Sequence, residues 1–336
     1  MFDTKINIAV FVGGTSPERE VSKSSAKAIY KAIKDLGYNC TLIDPAYGIN
    51  QPDDEKKFFS DDDYSEIKNE NIIKTINSNL LDDIDLVFIA LHGKWGEDGI
   101  IQSLLELRGI RYTGSGAFSS AISMDKALSK IIFKENKINN ADSFTIANQY
   151  KIDEVLKKIN NKHGYPCVIK PNDQGSTVGL TIVNEKDDLQ SAIDFALQFS
   201  DIVLIEKYIA GREMTVAILD DEALPVLEII PKSGFYDYKS KYTSGMSEYI
   251  VPADIPKYVF IKLQEQALAA FKSLRCKVYG RVDFRLSEDN TPYCLEVNTL
   301  PGMTATSLVP KMANAAGISF NELIERIIRL SIDGKK

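Results

Sequence analysis

Near the end of the chain, two alternating apolar segments, 278–286 and 292–298, flank Asp289-Asn290, and their polar positions could hold a metal ion. If Asp289-Asn290 form a two-residue turn, Asp283 lies across from Glu296 and Arg281 across from Asn298. On the other face Val282 then meets Val297, Phe284 meets Leu295, and Leu286 meets Tyr293. A slip of one residue would mix the two sets, so the apolar pattern predicts this register. Two carboxylates opposed at about 5 Å repel unless a cation lies between them. With the amide oxygen of Asn298 they form a hard-oxygen set that suits Mg²⁺ completed by phosphate oxygens and water. A solvated acidic face neutralised by Arg281 and Arg285 fits the same residues, and the hairpin alone leaves both readings open.

A second set of residues could hold phosphate. The run from Lys170 to Gly179, with Gly175, Ser176 and Thr177 at its centre, sits between two strand-like segments. Small residues there let backbone N–H groups approach an anion, and Lys170 adds a point charge. It matches neither G-x-x-x-x-G-K-[ST] nor G-x-G-x-x-G, so the familiar nucleotide motifs are not supported. Lys126 on a helix, Glu206-Lys207-Tyr208-Ile209 at a strand end, and Glu213 all have ordinary surface or strand-end explanations when taken singly.

The elements that must position these groups fall into three units. An apolar strand at 6–12, the break at Gly13-Gly14, and a helix over 18–36 open the chain. Strands at 40–43, 85–91 and 110–113, with a helix over 100–108, predict a mainly parallel, doubly wound sheet in residues 1–122. Between them, 53–79 is rich in charge and Asn and reads as a surface excursion with a short helix. A second unit, 123–210, carries strands at 166–170, 180–183 and 203–208 and a helix over 187–199. The third, 211–336, has a hairpin from 214–219 to 224–230, a helix over 257–274, the strand pair above, and a closing amphipathic helix over 320–330.

Bulk composition narrows the classes. With 336 residues, 44% hydrophobic and 26% charged, the chain is an ordinary globular protein of two or three domains. A formal charge of −7 disfavours nucleic-acid binding. Cys40, Cys167, Cys276 and Cys294 are scattered, and only His92 and His163 could join them, so zinc is not expected and buried thiols are. The first residues include Asp3 and lack the apolar core of a signal peptide, and no stretch is long enough to span a bilayer. Cytoplasm is the expected compartment.

Taken together, the ordered motifs resemble one family across nearly the whole chain. Gly13-Gly14-Thr15-Ser16-Pro17-Glu18-Arg19-Glu20-Val21-Ser22 and Leu91-His92-Gly93-Lys94-Trp95-Gly96-Glu97-Asp98-Gly99 are similar to signatures of D-alanine–D-alanine ligases. So are Ser123-Met124-Asp125-Lys126, the loop 174–179, and Phe235-Tyr236-Asp237-Tyr238-Lys239-Ser240-Lys241-Tyr242. Gly280-Arg281-Val282-Asp283 and Glu296-Val297-Asn298-Thr299-Leu300-Pro301-Gly302-Met303-Thr304 complete the set.

The resemblance implies an ATP-grasp fold, α/β and α+β, in which two units sandwich ATP. It implies that Lys126 and Lys170 hold phosphates and that Glu206, Lys207, Ile209, Glu213 and Lys241 contact the nucleotide. Asp283, Glu296 and Asn298 would bind Mg²⁺, with Mn²⁺ a possible substitute. Glu18 would pair with the ammonium of the first D-alanine, with His92 on the substrate side, and Ser176 and Tyr242 would hydrogen-bond to Glu18. Arg281 and the Gly302 N–H would face the oxyanion, and Ser307 and Leu308 would seat the second D-alanine. Segment 233–249, rich in Gly, Ser and Tyr, reads as a lid that keeps water from an acyl phosphate. A homodimer is implied by the family only. The loop departs from the family's usual acidic residue and two serines, reading Gln174-Gly175-Ser176-Thr177, with Ser176 kept. D-alanyl-D-lactate and D-alanyl-D-serine synthesis are the near rivals. Lys241-Tyr242 argues against the first, while one hydroxyl discriminates the second only modestly. A non-catalytic nucleotide-binding protein is the rival from another class, and it would not need Arg281.

Overall fold

The computed structural model describes residues 6–232, 246–304 and 306–334. Its first sheet is built as the alternation of strand and helix predicts. Strand β1 (Asn7–Phe11) leads through Gly13-Gly14 to helix α1 (Arg19–Asp35), then β2 (Asn39–Ile43), α2 (Asn69–Ile76), β3 (Leu86–Ile89), α3 (Ile100–Arg108) and β4 (Arg111–Tyr112). The strands are parallel in the order β2-β1-β3-β4. Gly13 must be glycine: its φ is +77°, and a Cβ would fall 2.2 Å from Asp44 Oδ2. The 53–79 segment contains the expected short helix, α2, but it is more than a surface excursion. Phe58, Ile72 and Ile76 are buried in the core beneath it, whereas Ile67 and Ile73 of the same stretch stay exposed.

Helices α4 (Ala117–Met124) and α5 (Lys126–Glu135) lead into the second sheet. Its elements are β5 (Ser143–Ala147), α6 (Ile152–Lys162), β6 (Cys167–Pro171), β7 (Thr181–Val183), α7 (Leu189–Ala196) and β8 (Ile202–Lys207). The order is β5-β8-β6-β7, antiparallel throughout. Sequence patterning gives β6, β7 and β8 but not β5 or α6.

The third sheet follows from β9 (Arg212–Leu219), β10 (Glu222–Ala223), β11 (Leu227–Pro231), β12 (Ser247–Ile250), helix α8 (Lys257–Ser273), β13 (Tyr279–Leu286) and β14 (Pro292–Asn298). Its order is β12-β11-β9-β13-β14, with β10 on β9. Helices α9 (Leu308–Ala315) and α10 (Phe320–Asp333) close the chain. The amphipathic α10 does not cover the third sheet; it packs on α1, and its buried Ile324, Ile327 and Ile328 join the core of the parallel sheet. All four cysteines are free, three of them buried and Cys40 partly so. Among the described residues, no helix is long and apolar enough to cross a membrane.

Candidate active site

The β13–β14 hairpin has the predicted register where the carboxylates lie and a different one toward its turn. Arg281 pairs with Asn298, Val282 with Val297, and Asp283 with Glu296. A β-bulge follows Asp283, after which Phe284 pairs with Cys294, Arg285 with Tyr293 and Leu286 with Pro292. The expected partners Phe284–Leu295 and Leu286–Tyr293 are therefore wrong. The cause is the turn: Ser287 N–H bonds to Thr291 O, Asn290 adopts φ +61°, and Asp289 Oδ1 accepts from Thr291 N–H, so the loop has three residues rather than two. The bulge puts Cys294 in the core and turns both Leu295 and Glu296 toward the site.

Each carboxylate already has a cation. Arg281 donates from Nε to Asp283 Oδ1 at 2.8 Å and from Nη2 to Oδ2 at 2.7 Å. Thr215 on β9 donates to Asp283 Oδ1 at 2.6 Å. Lys126 Nζ is 3.1 Å from Glu296 Oε2 and donates to the Gln174 carbonyl at 2.7 Å. Asn298 Oδ1 accepts the Leu300 N–H at 3.0 Å. No cluster of three His, Cys, Asp or Glu capable of holding a metal exists among the described residues. Two carboxylates and one amide oxygen nevertheless fit Mg²⁺, which keeps few protein ligands and fills its shell from phosphates and water. The cationic neighbours mark where positive charge is needed.

Lys170 enters from β6 and lies 2.6 Å from Glu206 Oε1 on the adjacent β8. Lys130 Nζ, from α5, is 2.8 Å from Glu206 Oε2, close in distance but outside hydrogen-bond alignment. Burial alone would push the Glu206 carboxyl up, but the two lysine charges outweigh it and hold it down at about 2. The Glu206 side chain is thus committed to Lys170 and Lys130. Around it lies an apolar slot of about 140 Å³ that includes Val168, Leu180, Ile182, Ile209 and Leu295 in its lining. Lys207 uses its N–H on Asp142 O, and Ile209 O accepts from Arg285 Nε. Arg285 also lies 3.5 Å from Glu213 Oε2, at the rim of the same slot.

The slot meets a larger cavity of about 610 Å³, the two sharing Lys126, Gly175, Ser176, Arg281 and Glu296. Across that cavity Ser176 Oγ donates to Glu18 Oε1 at 2.5 Å, joining the central loop to the N-terminus of α1. Ser176 and Thr177 hold φ values of +53° and +64°, a left-handed pair that bends the loop toward Glu18. His92 is buried, its Nδ1 3.2 Å from Glu97 Oε1 and its Nε2 3.0 Å from Ser25 Oγ. Burial pushes the Glu97 carboxyl up; the bond to His92 opposes this, and the nearby Glu18 charge adds to it. Ser25 Oγ also accepts the Met303 N–H at 3.4 Å, one residue beyond Gly302. Ser307 Oγ accepts from Thr304 N–H at 3.0 Å and lies 3.1 Å from where a Gly302 Cβ would stand. Ser307 and Leu308 open α9 and line the cavity with Gly302.

Thus Glu18, His92, Lys126, Ser176, Arg281, Glu296, Asn298, Gly302, Ser307 and Leu308 line the larger cavity. Lys170, Glu206, Lys207, Ile209, Glu213 and Asp283 line the slot. Lys241, Tyr242 and most of the expected lid lie outside the described residues. Sequence reasoning missed Lys130, which looks like any helix lysine; it missed Ser25, Thr215 and the role of Glu97 because their partners are distant in the chain.

Comparison with known proteins follows the same lines. The family models described as D-ala D-ala ligase N-terminus and C-terminus match residues 7–115 and 132–329. D-alanine–D-alanine ligases of Desulforamulus reducens and Halalkalibacterium halodurans are each 42% identical, covering 98% and 97% of this chain and 99% of each relative. The crystal structure of the Bacillus anthracis D-alanine–D-alanine ligase complexed with ATP superposes with TM-score 0.79 at 34% identity, covering 98% of both chains. The VanG D-Ala:D-Ser ligase of Enterococcus faecalis gives TM-score 0.81 at 30% identity, covering 97% of this chain and 99% of that one. Through both family models, full-length relatives and the ATP-grasp architecture of its structural neighbours, this chain belongs to the D-alanine–D-alanine ligase family.

Proposed function

We propose that this chain joins two D-alanines to D-alanyl-D-alanine at the expense of ATP, releasing ADP and phosphate, as a step in peptidoglycan precursor synthesis. The observation that carries this is the junction of the two cavities: an apolar nucleotide slot opens onto a polar cavity at Lys126, Ser176, Arg281 and Glu296. A terminal phosphate lying there would meet the carboxylate of an amino acid whose ammonium is held by Glu18. In this reading 1–122 is the substrate-binding unit, 123–210 carries the phosphate loop, and 211–336 carries the lid and the metal hairpin.

A carboxylate cannot form an amide directly, because hydroxide is a poor leaving group. Transfer of the terminal phosphoryl group gives an acyl phosphate, and the deprotonated second amine displaces phosphate from it. Asp283, Glu296 and Asn298 would hold Mg²⁺, or Mn²⁺ in its place, which when bound neutralises phosphate charge that would repel the carboxylate. Lys126 and Lys170 orient the phosphates. Adenine contacts come from the backbone of Lys207 and Ile209 beside Glu206, with Glu213 at the ribose and Lys241 closing over the nucleotide. Ser176 and Tyr242 hold Glu18 toward the ammonium, with His92 behind it. Arg281 and the Gly302 N–H face the developing oxyanion, and Ser307 and Leu308 seat the second substrate.

D-alanine rather than D-serine is favoured as second substrate by full-length D-alanine–D-alanine ligases that are 39–42% identical to this chain. Phosphate release measured with D-alanine, D-serine and D-lactate in turn tests the reading. D-alanine should be used alone and best; equal rates with D-serine would move the assignment, and no release with any would remove it. Homodimer formation belongs to the same proposal. Ile73, Ile100, Leu107 and Phe118 on α2, α3 and α4 are exposed apolar side chains available to a second copy, which light scattering of the purified protein would test. Residence in the cytoplasm is likewise part of it.

A further inference from the structure

The 53–79 segment has no part in the mechanism above, yet it is tied to the turn that bears Glu18. Arg19, the next residue, is buried and gripped on every side. Its Nη1 donates to Gly14 O at 2.6 Å, Nη2 lies 2.7 Å from Asp44 Oδ2 and donates to Tyr47 Oη at 2.8 Å, and Nε donates to Asp63 Oδ1 at 2.8 Å. Tyr47 Oη also donates to Asp63 Oδ1 at 3.3 Å and accepts the Tyr64 N–H at 2.9 Å. One turn along α1, the buried Lys23 donates to Ser60 O at 2.8 Å. Thr15 Oγ1 donates to Asn69 Oδ1 at 2.6 Å. Three residues of the 60–69 stretch therefore hold the 15–23 turn from outside.

On its inner side the same turn presents Glu18. Ser16 Oγ accepts the Glu18 N–H at 3.1 Å and donates to His92 O at 2.6 Å. Glu18 Oε2 lies so close to Gly93 that a Cβ there would stand 2.7 Å away. A carboxylate packed this tightly, and pointed at a ligand, depends on where its backbone sits. Misplacement by about an ångström is enough to lose much of an oriented contact.

We propose that the 60–69 segment is a positioning clamp for the first D-alanine site, with Asp63 acting through Arg19, and Ser60 through Lys23, to set the orientation of Glu18. This rests on the reading of Glu18 as the ammonium partner. Asp63 is the residue to change: its side chain is 37% exposed, and Arg19 keeps Asp44 without it, so the fold survives the substitution.

The experiment is steady-state kinetics of the full-length enzyme, with D-alanine varied widely enough to fit a separate KM for each of its two sites and ATP varied separately. Asp63→Asn and Asp63→Ala should raise KM for the first D-alanine about tenfold, as loss of one charge-assisted contact allows. KM for ATP, KM for the second D-alanine and the melting temperature should stay near wild type, and Asp63→Glu should restore most of the loss. An unchanged first-site KM in Asp63→Ala overturns the clamp. So does a rise in all three KM values together with a lower melting temperature, which would be general loosening. Glu18→Gln is run alongside. If it raises the first-site KM and Asp63→Asn does not, only the clamp fails; if it leaves that KM alone, the role of Glu18 fails and the clamp with it.

Discussion

Arg281 and Asp283, two residues apart on β13, are locked together by a bidentate ion pair, Nε to Oδ1 at 2.8 Å and Nη2 to Oδ2 at 2.7 Å. The planar fork of the guanidinium matches the carboxylate, which makes this one of the stronger side-chain pairings available. It also means that a group assigned to the oxyanion and a group assigned to metal hold each other when neither ligand is bound. Under the proposed roles, a divalent ion held at Asp283 would compete with the guanidinium for the same two oxygens, and Arg281 freed from them would be available to a reacting carbonyl.

Arg281→Ala separates these roles. Loss of an oxyanion donor typically costs about 2.7–4 kcal/mol, so dipeptide synthesis should fall roughly 10²–10³-fold. Mn²⁺ binding in the absence of nucleotide, followed by electron paramagnetic resonance, should tighten or stay the same, because a competing cation has gone. A variant keeping a tenth or more of wild-type synthesis would strip Arg281 of the oxyanion role, and weakened Mn²⁺ binding would show that it builds the site rather than guards it.

The hairpin also shows what sequence could and could not provide. Asp283 opposite Glu296 and Arg281 opposite Asn298 were legible, because strict alternation of apolar residues allows one register near the carboxylates. The slip beyond Asp283 was not, since Asp289-Asn290 suits either a two-residue turn or the longer loop observed, and pattern alone cannot choose. The parallel sheet followed from strand and helix alternation, whereas β5 and α6 lie in polar sequence with weak periodicity. Lys130 was invisible for a different reason. A lysine on a helix is usually solvated, and only the fold reveals that it is buried against Glu206. The family signature carried Glu18, Ser176 and Gly302 directly; without it, a lone Glu before a helix says nothing.

Glu206 gives a pH-dependent expectation. Its folded carboxyl is held at about 2 against an ordinary 4.5, so ionised Glu206 stabilises the fold fully above 4.5 and that contribution is lost as pH falls toward 2. A shift of this size corresponds to roughly 3 kcal/mol at most. Glu206→Gln leaves two buried ammonium groups without their carboxylate, so it should unfold at lower urea than wild type at pH 7. The difference between the two should shrink as pH is lowered through that window. A gap that stays constant down to about pH 2 would mean the lysines do not depend on this carboxylate.

Tyr242 lies outside the described residues, and its expected role comes from the sequence alone. Tyr242→Phe removes one hydroxyl that would close the lid onto Glu18. Turnover should fall about tenfold, the low end for one hydrogen bond to a charged group. Hydrolysis of ATP without dipeptide formation should rise, since a looser lid admits water to the acyl phosphate. Wild-type turnover and tight coupling in this variant would remove Tyr242 from the mechanism.

A chain of contacts runs from Glu97 through His92 and Ser25 to the Met303 N–H, beside Gly302. Ser25 Oγ accepts from that N–H and lies 3.0 Å from His92 Nε2, while His92 Nδ1 faces Glu97 Oε1 at 3.2 Å. The loop bearing Gly302 is thereby anchored to α1 and, through Ser25, to the His92 loop, each from the N-terminal unit. The Met303 bond is long at 3.4 Å, so its net worth is at the low end for a hydrogen bond, about 0.5–1 kcal/mol. Ser25→Ala should therefore lower kcat about two- to fivefold through a less well aimed Gly302 N–H, with KM for ATP unchanged. Ser25→Thr, which keeps the hydroxyl, should recover part of the rate. If kcat is untouched in Ser25→Ala, the Gly302 amide is oriented by Ser307 and Thr304 without help from α1.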